Sequence, residues 1–162
     1  MEKQHGSIIL VANSIGAFFS LSAGIDGMIS KAYFISPIVD MEKLICNMMV
    51  QAGVTEEELA TKGIIRTDSG EDFSWDYLCH VRNHPIRWHV QTDILYGSRD
   101  GLINFETVHS FAEKHNATLT VMENGGHWFH SDVQMRFLDE WIRNRAVKDE
   151  DSCIEWQSQT GA

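Results

Sequence analysis

The chain has 162 residues, of which 23 are acidic and 13 basic, and this gives a formal net charge of −10 with a hydrophobic content of 43%. A chain of this length and composition is most simply one globular domain with a sizeable core. Because the basic residues are scattered and outnumbered, the charge argues against non-specific binding to nucleic acid or to acidic membranes.

The cysteines and the first apolar run bear on the compartment of the protein. Cys46, Cys79 and Cys153 are an odd number at unrelated spacings, which favours a reducing compartment and no disulfide framework. The residues before Ile8 and the apolar run after them do not combine the basic start, apolar core and cleavage site of an export signal. Polar residues and glycines also interrupt that run. We therefore expect a cytoplasmic protein with no membrane span.

The first predicted unit is a strand, a turn and a helix. Ile8–Ala12 is a short apolar run, residues 13–15 form a sharp turn, and an apolar helix follows to about Ala23. That helix carries apolar residues on nearly every side, which predicts that it is buried. Lys31–Ile35 is a second apolar strand, so the pattern indicates a parallel β-α-β unit.

An all-helical insertion is predicted between the second and third strands. Three polar residues each precede a stretch with helical periodicity and are expected to cap it. These are Asp40 for a helix over 41–51, Thr55 for a short helix that stops by Gly63, and Ser74 for a helix to about Arg82. The stretch 67–72 is predicted to be a polar loop.

Two strand–helix units complete the predicted domain, which covers residues 1–146. The third strand is His89–Tyr96 with a helix capped by Asn104 after it, and the fourth is Thr118–Met122 with a helix from about 132 to 145. The remaining residues, 147–162, are polar and acidic, and we expect a flexible tail. The predicted fold class is therefore α/β, with about four mostly parallel strands.

Three loops at the carboxyl ends of predicted strands carry Ser14, Asp100 and His127. In an open α/β sheet these ends lie at one edge, where sites form. A serine on the turn before a helix has backbone N–H groups beside it for a developing oxyanion. A histidine can take the serine proton, and an aspartate can orient the imidazole. The three residues therefore predict an activated serine nucleophile.

Three motifs carry a resemblance to a known family. The turn Ala12–Gly16 resembles a nucleophile elbow, with alanine at the first glycine position; Leu95–Asp100 resembles an acid turn and Gly125–Phe129 a histidine loop. Their order along the chain, serine, aspartate and then histidine, is that of the α/β-hydrolase superfamily. The sequence is similar to this family from the nucleophile elbow onward.

The resemblance implies a fold, a reaction and a set of roles. The fold is the C-terminal half of an α/β hydrolase, with residues 39–72 as a small helical lid. Ser14 is the nucleophile, Asp100 the acid and His127 the base, and the backbone N–H of Ile15 is an oxyanion donor. The implied activity is that of a serine hydrolase acting on a small ester or thioester through an acyl-enzyme, without a metal or cofactor.

One departure from the family pattern concerns the start of the fold. The family has four or more strands before the elbow, whereas about seven residues precede the first strand here. The second oxyanion donor normally comes from that part. We therefore expect a missing N-terminal segment or a homo-oligomer to complete the sheet. The alternative functions are a non-catalytic binding or assembly module that needs this completion, and haloperoxidase-like or lyase chemistry on the same fold.

Other candidate residues have simpler explanations. Asp40 follows the second strand, where some hydrolases place the acid, but its position favours a helix cap. A group formed by Cys79, His80, His84 and His89 matches no standard zinc spacing. His130 lacks the glycines that precede His127, and we expect it at the surface.

Overall fold

The structure, a computed structural model, describes residues 8–67 and 70–159, with side chains as far as Arg145. The elements in chain order are β1 (Ile8–Asn13), α1 (Ile15–Ser22), β2 (Ile29–Ile35), α2 (Met41–Gln51), α3 (Glu56–Lys62), β3 (Ile64–Arg66), β4 (Asp72–Ser74), α4 (Trp75–Asn83), β5 (Thr92–Gly97), α5 (Phe105–Lys114), β6 (Thr118–Met122) and α6 (Asp132–Gln159).

The main sheet has four strands in the order β1-β2-β5-β6, and every neighbouring pair is parallel. This confirms the predicted α/β class with four parallel strands. Because all four strands run in one direction, their carboxyl ends lie at a single edge of the sheet. The loops after β1, β5 and β6, which carry the three candidate residues, therefore meet at that edge.

Alternate residues along the strands pack on the two faces of the sheet. On one face Phe34 and Ile94 join a large buried cluster with residues of α1, α2 and α5. On the other face Tyr33 and Leu95 pack against Trp141 of α6. The sheet thus lies between two helical layers, as expected for parallel strands.

The predicted helix caps are present as hydrogen bonds. The Asp40 carboxylate accepts from the Lys43 N–H at 2.9 Å, the Thr55 hydroxyl from the Glu58 N–H at 3.1 Å, and the Asn104 amide oxygen from the Thr107 N–H at 3.0 Å. The Ser74 hydroxyl accepts from the Tyr77 N–H in the same way. Such caps typically stabilise a helix by about 1 kcal/mol each, which explains why local sequence predicted these helix starts.

The insertion between β2 and β5 is not all-helical, and that expectation was wrong. It contains an antiparallel hairpin, β3–β4, with Ile65 opposite Phe73. Each strand has three residues and only Phe73 is buried, so the sequence shows no alternation long enough to indicate a strand. Residues 68 and 69 of the predicted loop lie outside the described residues.

An arginine of α4 ties the helices of the insertion together. The Arg82 guanidinium donates to Glu42 of α2 at 2.7 Å and to both carboxylate oxygens of Glu56 of α3. Hydrogen bonding to Arg82 lowers the pKa of Glu56, and the two carboxylates raise the pKa of Arg82. The bidentate geometry fixes the relative positions of α2, α3 and α4. That the insertion acts as a lid remains a prediction.

Two strand and helix bounds differ from expectation. β5 begins at Thr92 rather than His89, because the preceding segment buries Trp88, whose indole N–H donates to the Thr92 hydroxyl. The backbone of α6 is helical to Gln159, beyond the expected end near residue 145. Flexibility of the tail remains a prediction, and residues 160–162 lie outside the described part, as do residues 1–7 and the Cys153 side chain. Cys46 and Cys79 are free thiols.

Apolar side chains remain exposed on β1 and on one side of α1. Ile9 and Val11 are 49% and 53% exposed, and Ile15 and Phe19 of α1 are 47% and 56% exposed. The expectation that α1 is buried all round was therefore wrong, since only its Ala17, Phe18 and Leu21 face is covered. Met135 of α6 is also exposed. In the described part of the chain, no helix has the length and apolar character that crossing a membrane requires.

Candidate active site

Ser14 lies on a sharp turn between β1 and α1. Its backbone has φ 49° and ψ −121°, a strained conformation for a residue other than glycine. The Ser14 N–H donates to the Ile35 carbonyl at 3.0 Å, and its carbonyl accepts from the N–H groups of Ala17 and Ile38, each at 3.1 Å. These contacts hold the strained turn between the end of β2 and the first turn of α1.

The turn is enclosed at Ser14 and open at Gly16. Ser14 is only 6% exposed. A Cβ at Gly16 would meet nothing within 4 Å among the described residues. The strain of the turn resides in Ser14 itself rather than in the space around Gly16.

The three predicted residues form a continuous hydrogen-bonded relay. The Ser14 hydroxyl lies 2.8 Å from His127 Nε2, and His127 Nδ1 lies 2.7 Å from Asp100 Oδ2. The proton on Nδ1 is assigned by the carboxylate partner, which can only accept, and this leaves Nε2 to accept from the hydroxyl. The arrangement suits proton transfer from serine to imidazole.

Asp100 is buried and held as a carboxylate. Its side chain is fully buried, and its Oδ1 accepts from the N–H groups of Leu102 at 2.9 Å and Ile103 at 3.1 Å. Burial acts to raise its pKa, but the hydrogen bonds from His127, Ile103 and Leu102 outweigh this and lower the pKa below its ordinary value. A charged Asp100 is therefore available to orient the imidazole.

Tyr96 supports the loop that presents Asp100. Its hydroxyl donates to the Ile103 carbonyl at 2.7 Å. Burial, with the nearby negative charges of Asp100 and Glu106, raises the pKa of Tyr96 to about 12. The phenol therefore stays protonated and keeps donating over the ordinary pH range.

Two glycines let the acid turn and the histidine loop approach each other. A Cβ on Gly97 would clash with the backbone carbonyl of Gly125, and a Cβ on Gly125 would lie 3.0 Å from the Gly97 Cα. The Arg99 N–H donates to the Gly125 carbonyl at 2.8 Å across the same contact. Because neither position has room for a Cβ, glycine at both allows the two loops to lie in contact, and His127 can reach Asp100.

The remaining candidates lie elsewhere and have other partners. Asp40 caps α2, and Asp93 is buried between Lys31 and Arg145, each at 3.0 Å. The rings of His80 and His84 stack 4.0 Å apart. Among residues 8–67 and 70–145, no three His, Cys, Asp or Glu side chains are grouped so as to hold a metal ion. His130 is exposed, as expected.

The sequence argument missed Ser36, the residue directly after β2. It is fully buried with φ 42°, and its hydroxyl has no hydrogen-bond partner in the described protein. The dipeptide Ser36–Pro37 indicated only that the strand stops there. Burial of an unpaired hydroxyl depends on the tertiary fold, so no local pattern points to it.

A cavity in the described part of the chain lies away from this relay. It has a volume of about 490 Å³ and lies between α1 and α4, where Phe19, Tyr77 and Arg87 are among its lining residues. None of the three relay residues lines it. The cavity therefore does not identify where a substrate would bind at Ser14.

Comparison with known proteins gives structural matches only. No family model and no curated protein matches the chain. Alpha/beta hydrolase domain-containing protein 10 from mouse matches with a TM-score of 0.70 and 18% identity, covering 91% of this chain and 64% of that one. Est1E from Butyrivibrio proteoclasticus matches with a TM-score of 0.67 and 13% identity, covering 88% and 60%. A putative hydrolase from Agrobacterium vitis matches with a TM-score of 0.62 and 19% identity, covering 84% and 60%.

The chain spans about 60% of the length of these solved structures. At these identities the likeness concerns the fold and not the activity. The described residues have the fold of the C-terminal part of an α/β hydrolase.

Proposed function

We propose that this chain is a serine hydrolase that cleaves a small ester or thioester through an acyl-enzyme, with Ser14, His127 and Asp100 as its catalytic triad. The observation that carries the proposal is the relay of two hydrogen bonds, at 2.8 and 2.7 Å, from the Ser14 hydroxyl to the buried Asp100 carboxylate. A neutral imidazole between a hydroxyl and a carboxylate is the arrangement that general-base activation of serine requires.

The first half of the reaction forms a covalent bond to the enzyme. Ser14 Oγ attacks the carbonyl carbon while His127 Nε2 takes the hydroxyl proton. Asp100 holds the Nδ1 proton and stabilises the imidazolium that forms. Collapse of the tetrahedral intermediate breaks the bond to the leaving group, and His127 gives its proton to the departing alcohol or thiol.

The second half restores the enzyme. A water molecule attacks the acyl carbon while His127 takes one of its protons. The bond to Ser14 Oγ then breaks, the carboxylic acid leaves, and the proton returns to Ser14. No step needs an oxidant, a reductant or a metal ion.

The oxyanion of both intermediates needs backbone donors. Ile15 follows Ser14 directly and is the first residue of α1, whose first N–H groups have no partner within the helix. The positive end of the helix dipole adds to this donor. We therefore assign the backbone N–H of Ile15 as one oxyanion donor. Removing one such donor typically lowers the rate by about 10²–10³.

The comparisons support the choice of substrates for testing. The structures similar in fold carry the names hydrolase and esterase, and Est1E has a structure with ferulic acid bound. A panel of short-chain esters, thioesters and methyl ferulate therefore samples the proposed substrate class. The cytoplasmic location remains a prediction.

A second candidate function is a non-catalytic binding or assembly module, and the exposed face of β1 favours it. Ile9 and Val11 are about half exposed, and within the described residues β1 pairs only with β2. An unpaired, apolar strand edge is a template for pairing with another strand. In this view a partner, or a second copy of the chain, completes the sheet before the relay works.

The test is covalent labelling by a fluorophosphonate, which phosphonylates the oxygen of an activated serine and releases fluoride. We expect the wild type to gain one adduct by intact mass, and Ser14→Ala to gain none. Ser22→Ala, at the exposed end of α1, is the matched control and should label like the wild type. A folded, unaggregated wild type that gains no adduct would contradict the hydrolase proposal and support the module.

A further inference from the structure

Ser36 occupies the carboxyl end of the strand that lies between the two ends of the relay. The sheet order places β2 between β1, which Ser14 directly follows, and β5, which leads to Asp100. Neighbouring strands lie about 4.8 Å apart. The imidazole of His127 joins Ser14 to Asp100, and so it bonds residues that follow the two strands on either side of β2. Ser36 is the first residue past β2.

The backbone around Ser36 is bonded to both neighbouring strand ends. The Ser36 N–H donates to the Leu95 carbonyl of β5 at 2.8 Å. The residue before it, Ile35, accepts from the Ser14 N–H, and Ile38 donates to the Ser14 carbonyl. Residues 35–38 are thus hydrogen-bonded to the backbone of Ser14 on one side and to Leu95 of β5 on the other. These bonds fix the backbone position of Ser36.

The Ser36 side chain is costly to the folded state. It is completely buried, and its Oγ is one of two buried side-chain atoms without a hydrogen-bond partner in the described protein, the other being Gln134 Oε1. Its φ of 42° adds strain that a residue other than glycine rarely accepts. A buried unpaired hydroxyl in a strained residue needs an explanation, and such residues cluster at functional sites.

We propose that Ser36 is a positioning residue whose hydroxyl stabilises His127 in its protonated form during proton transfer from Ser14. The inference rests on the proposed hydrolase function. Within the described residues the Ser36 hydroxyl has no hydrogen-bond partner. When His127 takes the serine proton, the oxygen lone pairs of Ser36 face a positive charge in a buried site, where a fixed dipole acts strongly. Ser36 itself forms and breaks no covalent bond.

The test separates stability from reactivity in two variants. Ser36→Ala removes the hydroxyl and keeps the strained backbone, whereas Ser36→Gly removes both. We expect both variants to unfold at the same temperature as the wild type or higher, because an unpaired buried hydroxyl is lost. We expect the rate of fluorophosphonate labelling at Ser14 to fall about tenfold in both, because the hydroxyl dipole that offsets the charge of the imidazolium is lost.

Thr92→Val is the matched control. The Thr92 hydroxyl is also buried, but it accepts from the Trp88 indole and donates to the Val90 carbonyl at the opposite end of β5. This variant should lower the unfolding temperature and leave the labelling rate unchanged. The control should therefore lose stability and keep its reactivity, whereas the Ser36 variants should keep their stability and lose reactivity.

Three outcomes overturn the inference. Labelling of Ser36→Ala at the wild-type rate shows that the hydroxyl plays no part in activation. A loss of both stability and labelling rate shows a merely structural role. Absence of labelling in the wild type refutes the hydrolase proposal and this inference together, so the failure of the inference alone is distinguishable.

Discussion

The end of strand β1 and its middle differ in exposure and in hydrogen bonding. At its carboxyl end, Ser14 is 6% exposed and its hydroxyl and backbone groups are hydrogen-bonded to three parts of the chain. Three and five residues earlier, Val11 and Ile9 leave about half of their apolar surface in solvent. The site residues are thus tightly organised, while the strand that carries the nucleophile has an uncovered face.

The difference shows that the contacts of the three site residues come from α1 and from the covered part of the sheet, from β2 to β6, and not from the exposed face of β1. Asp100 accepts hydrogen bonds from its own loop and from His127, and the backbone of Ser14 is bonded to Ile35, Ile38 and Ala17. None of these bonds comes from the uncovered side of β1 in the described protein. Variants on the two sides should therefore have separable effects on reactivity and on association.

The largest expected effect is on the site side, in His127→Ala. Without a base for the serine proton, we expect the rate of fluorophosphonate labelling to fall by about 10⁴–10⁶ while the fold is kept. His130→Ala, three residues further along and exposed, is the matched control and should label at the wild-type rate. Equal rates in the two variants would show that Ser14 is not activated by His127.

A smaller effect on the same side is expected for Gly97→Ala. The new Cβ would clash with the Gly125 carbonyl, so the acid turn and histidine loop must separate. A misplacement of about 1 Å can cost about 100-fold in rate, and we expect a labelling loss of that order. At Gly101 a Cβ would meet open space, so Gly101→Ala should be neutral. If Gly97→Ala labels as fast as Gly101→Ala, the close approach of the loops is not what aligns the relay.

On the exposed face of β1, Val11→Lys should change association and not reactivity. We expect the wild-type chain to self-associate through the exposed face of β1, and a charge there to reduce the mass measured by light scattering. The labelling rate should change by less than about twofold, because surface substitutions away from a site have small effects. Val133→Lys, on an exposed position of α6, is the control for added charge. Unchanged association in Val11→Lys would remove β1 as the interface.

The smallest expected effect is the dependence of stability on pH through Asp100. Its pKa in the folded protein is lowered from the ordinary 3.8. The stability that its charged form contributes is therefore present above the unfolded pKa and lost as pH falls through the lower, folded value. Asp100→Asn should lose that part of the slope in acid, measured by urea unfolding between about pH 5 and 2. Parallel slopes for the variant and the wild type would show that Asp100 is not held as a charged group.

Local sequence predicted those parts of the fold that local interactions decide. The helix over 41–51 and the strand over 118–122 have the expected bounds, because a cap and a clean apolar period define them. The hairpin β3–β4 and the exposure of Phe19 were missed. The hairpin is too short for a pattern, and exposure depends on what packs against α1, which its own sequence does not contain.

The candidate site likewise has residues that the sequence predicted and features that it did not. Ser14, Asp100 and His127 were found because each lies in a short motif and their order along the chain is characteristic. The low exposure of Ser14 and the unpaired hydroxyl of Ser36 were not, because both arise where residues distant in sequence meet. The roles of all four residues in catalysis remain proposals.

Reaction of the folded wild type with a fluorophosphonate, followed by intact mass and peptide mapping, tests the central claim most directly. The relay of Ser14, His127 and Asp100 predicts one adduct on Ser14, absent in Ser14→Ala and present in Ser22→Ala. An adduct on another serine, or no adduct on folded protein, would contradict the claim that this relay activates Ser14.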